Sequence, residues 1–230
     1  MKRFWTLAET TPESGGHAIR LDGKPVRTPA KALLILPTLA LARAVAAEWQ
    51  EQGEVVEPSA MPMTRSANTA IDKVVPQHRD VAQLIAAYGG SDLLCYRAEA
   101  PAALVAAQAG WDAPLAWAER TLGAPLRVIT GVMPVAQDPL ALAALGRRVA
   151  EFDPFALTAL HDLVALSGSL VLGLAVAEGI IPADEAWRLS RIDEDFQIAR
   201  WGEDAEAAAA TASRKRDFLH AQRFLTLVRG

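Results

Sequence analysis

The sequence predicts an α+β protein that is mostly helical, with a small N-terminal antiparallel β domain ahead of a larger α-helical domain. Three observations predict it. Alanine supplies 46 of the 230 residues and only 14 are aromatic, and alanine gives up no side-chain rotamer freedom on entering a helix. Short extended runs around an Asp-Gly pair are confined to the first part of the chain. Apolar residues at helical spacing, punctuated by proline and glycine, fill the rest. The expected boundary separates residues 1–60 from 61–230.

Taken in order, residues 4–7 are a candidate strand. Residues 17–20 alternate, Leu21-Asp22-Gly23-Lys24 supplies a tight turn, and 25–28 run back. An Asp-Gly turn of type I′ needs positive φ at both central residues. A further short run at 32–36 completes the expected sheet, which needs a helix or a partner over one face. Thr38 is placed to cap a helix running to about residue 52 and ended by Gly53. Leu41, Val45 and Trp49 form one stripe on it, and Val55 with Val56 is expected to return to the sheet.

Thr64 then opens a short helix carrying Ala67, Ile71 and Val74. The next follows Pro76, with Val81, Leu84, Ile85 and Tyr88 on one face and Gly89-Gly90 at its end. Residues 92–97 fit either a strand or a helical turn; as a strand, their partner is 126–130. Further helices are expected at 101–109, 112–122, 139–151, 154–178, 183–201 and 203–227. Pro114, Gly123, Pro139, Pro154 and Pro182 mark the breaks, and Asp138-Pro139 and Asp153-Pro154 each read as a cap followed by proline at the first helical position.

A net charge of −4 and a pI near 5.6 argue against a protein built to hold a phosphate backbone. The single cysteine, Cys95, cannot form an internal disulfide or a Cys-rich metal site. Residues 163–177 are strongly apolar, yet a spanning helix needs roughly 20 such residues, so a buried core helix is expected and no membrane insertion. No leader is visible at the N-terminus. The expectation is a cytoplasmic protein, or one of the mitochondrial matrix if a leader has been removed.

Chemistry-bearing motifs are scarce. There is no GxxxxGK[ST] loop. Gly168, Gly173 and Gly179 lack the strand-turn-helix setting of a dinucleotide site, and Ser167-Gly168-Ser169 lacks the GxSxG elbow. Small residues in an apolar helix point instead to close helix packing. His17, His78, His161 and His220 have no His or Cys at helical spacing, so no metal site is expected. Cys95 reads as a small buried hydrophobe, and the basic cluster at 213–216 as a solvated helix face. His161 beside Asp162 is the one pair with the makings of a general base.

The stretch from 193 to 204 is different. On a helix, Leu189, Ile192, Phe196 and Ala199 make a core-facing stripe, which leaves Glu194, Ile198 and Trp201 on another side beside Asp193 and Gln197. An aromatic residue flanked by acids can anchor a partner, because tryptophan is enriched in interface hot spots. Packing within the same chain would explain Trp201 equally well.

The chain resembles the Atp12 family, assembly chaperones of the F1 sector of ATP synthase. The pieces that carry the resemblance are Phe4-Trp5, the run from Leu21 to Pro29 with Asp22-Gly23, Leu36-Pro37-Thr38, Glu48-Trp49, Met61-Pro62-Met63-Thr64, Ala70-Ile71-Asp72 and the run from Asp92 to Arg97. Gln108 with Trp111-Asp112, Gly168-Ser169, Asp193-Glu194 and Trp201-Gly202 complete the set. The resemblance implies a β-rich then helical protein without catalytic residues or cofactor. It implies binding to the unassembled α subunit of F1, shielding it from aggregation and passing it to the β subunit without ATP, as a monomer. It makes Asp193, Glu194, Gln197, Ile198, Trp201, Glu203 and Asp204 the expected partner-binding residues, Glu194 foremost. Trp5, Asp22, Gly23, Trp49, Asp72 and Arg97 are the expected structural residues. The alanine-rich run from Ala205 to Ala210 departs from the acidic and histidine positions of eukaryotic members. The rival class is a small-molecule enzyme or ligand-binding protein using His161, Asp162 and Glu194 in an interdomain cleft.

Overall fold

The computed structural model describes residues 2–131 and 133–230. Two compact units emerge from the chain's own contacts. The first runs through His78 and takes in Asp153–Ala159 and Arg223–Gly230; the second comprises Arg79–Phe152 and Leu160–Gln222. The architecture is that expected of the sequence: a small antiparallel sheet followed by helices.

In the first unit the sheet begins with Ala8–Glu13 (β1), paired antiparallel with Gly16–Leu21 (β2), Ala8 opposite Leu21 and Glu13 opposite Gly16. Residues 4–7, expected as the first strand, are not one. The polar run Ala-Glu-Thr-Thr-Pro-Glu hides β1 from a search for apolar alternation, and Pro12 restricts it to an edge position. Lys24–Pro25 (β3) pairs with β2 across the expected Asp-Gly turn, where Asp22 and Gly23 take φ of 47° and 77°. Ile35–Leu36 (β4) lies on that same side of β2, against Ala18 and His17. A Cβ on Gly16 would sit 2.1 Å from the Leu36 carbonyl oxygen, so only glycine fits there.

Asp22 does more than turn the chain. Its carboxylate accepts hydrogen bonds from the backbone N–H groups of Thr6 and Leu7 at 2.9–3.1 Å, fastening residues 4–7 across the end of the hairpin. These bonds hold its carboxyl below the usual range. Leu39–Gln50 (α1) starts as expected: the Thr38 hydroxyl oxygen accepts from Leu41 N–H, and Leu41, Ala42, Val45 and Ala46 are buried. It stops at Gln50, ahead of Gly53. Trp5 packs on Trp49 at 5.3 Å, edge to face, and donates its indole N–H to the Trp49 carbonyl. Trp49 therefore ties α1 to the segment preceding β1. Val55 forms only an isolated bridge, with Lys2, and Val56 joins no strand.

Pro62–Thr69 (α2) starts two residues ahead of Thr64 because α1 supplies its cap. The Glu48 carboxylate accepts from Met63 N–H, Thr64 N–H and the Thr64 hydroxyl at 2.6–2.8 Å. The helix widens into a π turn over Ala70–Val74, where Asp72 accepts from Ala30 N–H. A carboxylate reaching from one element to the next recurs in this molecule.

Next in the chain is His78–Ala86 (α3), which buries Ala82 and Ile85 while Leu84 is exposed, so the expected face is rotated. The ambiguity at 92–97 resolves as both alternatives in succession. A single turn at Leu93–Cys95 leads into Tyr96–Arg97 (β5), which pairs parallel with Ile129–Thr130 (β6). Ala102–Gln108 (α4), Asp112–Leu122 (α5) and Pro139–Ala150 (α6) lie close to the expected spans. α5 continues through Pro114, which sits in its first turn where no helical N–H partner is required. Asp138 caps α6 through Leu140 N–H, and Asp153 accepts from Phe155 and Ala156 N–H at the next start.

The expected long helix over 154–178 is two helices, Pro154–Ser167 (α7) and Leu170–Ala177 (α8). Gly168, at φ +70°, breaks it. Every residue of α8 is buried. A Cβ on Gly173 would stand 2.5 Å from Val164 Cγ2, which identifies the small residues as a close crossing with α7. The expected helix over 183–201 is likewise divided at Arg191 into Ala183–Ser190 (α9) and Ile192–Trp201 (α10). Ala205–Arg229 (α11) ends the fold. Among the described residues, no helix is long and apolar enough to cross a membrane.

Candidate functional site

The site is built around α10 in the second unit. Three acids, Asp193, Glu194 and Asp195, occupy its first turn, and no side chain caps it. Negative charge there opposes the partial positive charge of the helix N-terminus. Asp193 turns inward: its carboxylate accepts from Gln108 Nε2 at 2.6 Å. Gln108 is buried at the end of α4, and its side-chain oxygen accepts from Ala98 N–H at 2.8 Å. Its backbone carbonyl accepts from Arg97 Nη1 at 2.6 Å.

Arg97 completes the frame. Its guanidinium also bonds Asp112 at 2.8 Å and lies 5.2 Å from the Trp111 ring centre. Trp111 is fully buried and donates its indole N–H to the Leu189 carbonyl at the end of α9. Asp112, Arg97, Gln108, Asp193 and Trp111 thus form one connected network that fixes where α10 starts. The sequence places Arg97 among structural residues and Asp193 among partner-binding ones; in the fold they belong to the same frame.

Beyond its first turn α10 is displayed. Only Ile192 is buried. Phe196 is half-buried and Ala199 exposed, so the expected core stripe fades after Ile192. The break at Arg191 separates α10 from α9, and α10 packs against both α4 and α9. Glu194 is exposed, with Arg191 Nη1 at 3.6 Å; Asp195 stands equally far from Arg191 Nε. Gln197 is exposed, Ile198 half-buried, and Trp201 is 72% exposed with the Arg200 guanidinium 5.7 Å from its ring centre. Gly202, at φ +90°, turns the chain out of the helix. Glu203 and Asp204 follow on the surface, and Asp204 accepts from Ala207 N–H at the start of α11. Of the seven predicted partner-binding residues, Asp193 and Asp204 accept hydrogen bonds within the chain, Glu194 is exposed but paired with Arg191, Ile198 is half-buried, and Gln197, Trp201 and Glu203 are exposed.

Two hydrogen-bonded frames that hold the helices escaped the reading of the residues. Gln108 carried no role there, and its clamp on Asp193 spans 85 positions that no periodicity connects. Asp92 is fully buried, and accepts from the Ser169 hydroxyl at 2.7 Å, Val171 N–H at 3.0 Å and Leu94 N–H at 3.1 Å. Burial pushes its carboxyl up, against those hydrogen bonds. It caps α8 from a distance. Their positions within the ordered motif pieces were the available signal.

The catalytic alternative finds a plain pair. His161 Nδ1 lies 2.9 Å from Asp162 Oδ1, with both side chains nearly half exposed. The bond to Asp162 raises the imidazole above its usual value, against partial burial. Two depressions on the first unit are lined by Lys2, Arg3, Trp5 and 52–55, and by residues of β1 and α1; neither includes His161, Asp162 or Glu194. Burial, then the charge of Asp92, push the Cys95 thiol up to about 12, so it stays protonated as a small hydrophobe would require. Among the described residues no three His, Cys, Asp or Glu side chains are grouped to hold a metal ion.

Solved structures similar to this chain cover nearly its whole length. Residues 2–119 match the model of the ATP12 chaperone protein family. The crystal structure of Atp12 from Paracoccus denitrificans is 56% identical, with a TM-score of 0.96 over 99% of this chain and 98% of that one. An Asp-to-Lys mutant of that organism's Atp12p is similar at 55% identity and the same TM-score, covering 99% and 97% of the two chains. Atu1473, a putative chaperone from Agrobacterium tumefaciens, is 45% identical with a TM-score of 0.92, over 98% of this chain and 85% of that one. The chain belongs to the Atp12 family of chaperones.

Proposed function

We propose that this protein is an F1-ATPase assembly chaperone that holds the unassembled α subunit, keeps it from aggregating and yields it to the β subunit. The observation that carries the proposal is the outward face of α10. A tryptophan 72% exposed shares a helix with exposed Glu194 and Gln197, Glu203 follows just past its end, and the base of the helix is held by the Gln108–Asp193 bond. Exposed aromatic residues on a rigid, acid-flanked helix are suited to anchor a partner at low entropic cost. An orphan subunit exposes the surface meant for its neighbour, and a binder lowers the free concentration available for aggregation. Release follows from competition, because the β subunit covers the same surface more extensively. No nucleotide is needed for that exchange, and a monomer acting in the cytoplasm suffices.

The test is dilution of unfolded F1 α subunit into buffer with and without the protein, followed by light scattering. Suppressed scattering and co-elution of α with the protein are expected. Undiminished scattering, with no α bound, would sink the proposal. Glu194→Lys should weaken capture while the thermal midpoint stays near that of the parent chain; a large fall in the midpoint would instead assign Glu194 to the fold.

A further inference from the structure

We infer that the outer edge of β1 together with α1 forms a second client-contact site, which takes an extended peptide segment by strand addition. β1 is an end strand of its sheet. Glu13 opposite Gly16 across the two-residue turn, and the bond from Asp22 N–H to the Leu7 carbonyl, fix which residues bond to β2. In an antiparallel pair these alternate. Glu9, Thr11 and Glu13 therefore face β2, while Ala8, Thr10 and Pro12 direct their backbone groups outward.

The outward edge is neither open throughout nor closed. Ala8 N–H is taken by the Gln50 side chain at 2.7 Å. Pro12 has no N–H to give. What remains is one donor, Thr10 N–H, and three acceptors, the carbonyls of Ala8, Thr10 and Pro12. The depression beside this edge is lined by Ala8, Glu9 and Thr10 of β1 and by Arg43, Ala46, Ala47 and Gln50 of α1. A groove between a sheet edge and a helix is the geometry in which peptides add as a strand, main chain to main chain.

The same residues specify the occupant. Thr10 lies opposite Ile19 on one face of the sheet, and Glu9 lies opposite Arg20 on the other. A residue set against Thr10 would meet the small side chains of Ala46 and Ala47, which suits a compact apolar group. A residue set against Glu9 would meet an exposed carboxylate whose cross-strand neighbour Arg20 is already bonded to Thr11, Gly23 and Glu13, which suits a cation. The site therefore fits an extended segment alternating a compact apolar residue with a basic one. A second copy of this chain fits poorly. Pairing Thr10 with Thr10 would set Ala8, whose N–H is plugged, against Pro12, which has none, leaving two bonds where a foreign strand makes four.

The occupant's identity as client rests on the chaperone proposal, so the test uses a probe that does not. A fluorescein-labelled, end-capped peptide of alternating valine and lysine is titrated into the full-length protein, with amide hydrogen exchange followed at Thr10. Saturable binding is expected, with the Thr10 amide exchanging freely in the unbound protein and protected in the complex. Thr10→Pro deletes the outward donor and spares the β2 ladder, and Ala47→Gln fills the groove from α1 with a neutral side chain that leaves the hairpin unchanged. Each is expected to weaken the probe about tenfold or more. No protection at Thr10, or equal affinity for parent and Ala47→Gln, overturns the inference. So does concentration-dependent dimerisation that protects Thr10 without peptide. Capture of F1 α through α10 would survive any of those failures.

Discussion

Two short helices of the second unit, α8 and α10, show opposite uses of the same construction. α8 is buried along its whole length, and its start is held by Ser169 and, from a distance, by the carboxylate of Asp92. α10 buries one residue of ten, and its start is held by Gln108 through Asp193. Both are fixed at the N-terminus by a polar residue far away in sequence. In α8 the remainder disappears into the core; in α10 most of the remainder is exposed, with Phe196 and Ile198 half-buried. Rigid placement is common to both, and the outward face is what α10 adds.

The comparison breaks most decisively at Asp92. Asp92→Ala leaves the N–H groups of Val171 and Leu94 buried without acceptors, which should cost about 2–4 kcal/mol in urea unfolding. A loss below the usual surface scatter would show that α8 needs no cap. Gln108→Ala should cost less, about 1–2 kcal/mol, because Asp193 can turn to water when its donor is removed. In a double-mutant cycle with Asp193→Ala the two losses should fall short of additive; strict additivity would dissolve the clamp.

Asp22 gives a smaller effect with a defined sign. Its folded carboxyl lies below the ordinary 3.8 because Leu7 and Thr6 N–H groups bond the charged form. The stability it contributes is present above 3.8 and lost as pH falls through the lowered value. Asp22→Asn should therefore flatten the acid limb of a stability–pH curve below 3.8; an unchanged limb would assign the acid sensitivity to other carboxylates. Trp201→Ala closes the series, with stability expected to move by no more than about 0.5 kcal/mol. A larger change would mean the indole packs against the chain.

Most of the fold was legible because helix starts and stops are local chemistry. Asp138-Pro139, Asp153-Pro154, Thr38 and the Asp22-Gly23 turn all do what their residue types predict. β1 was missed because an edge strand need not alternate; the breaks inside 154–178 and 183–201 were missed because Gly168 lies among small residues that read as helix packing and Arg191 is no helix breaker. At the site, the acids and Trp201 of α10 were legible as an unusual local pattern. Their division into anchored and outward members was not. Asp193 faces inward because of Gln108, and a contact across 85 positions leaves no periodic trace.

The most direct measurement is the amount of protein needed to halve the light scattering of F1 α subunit diluted from denaturant, compared among the parent chain, Glu194→Lys and Trp201→Ala. The account predicts half-suppression near one equivalent for the parent, and on the order of tenfold more for either variant at unchanged fold. Equal amounts for all three would contradict it, and would remove the outward face of α10 from client binding.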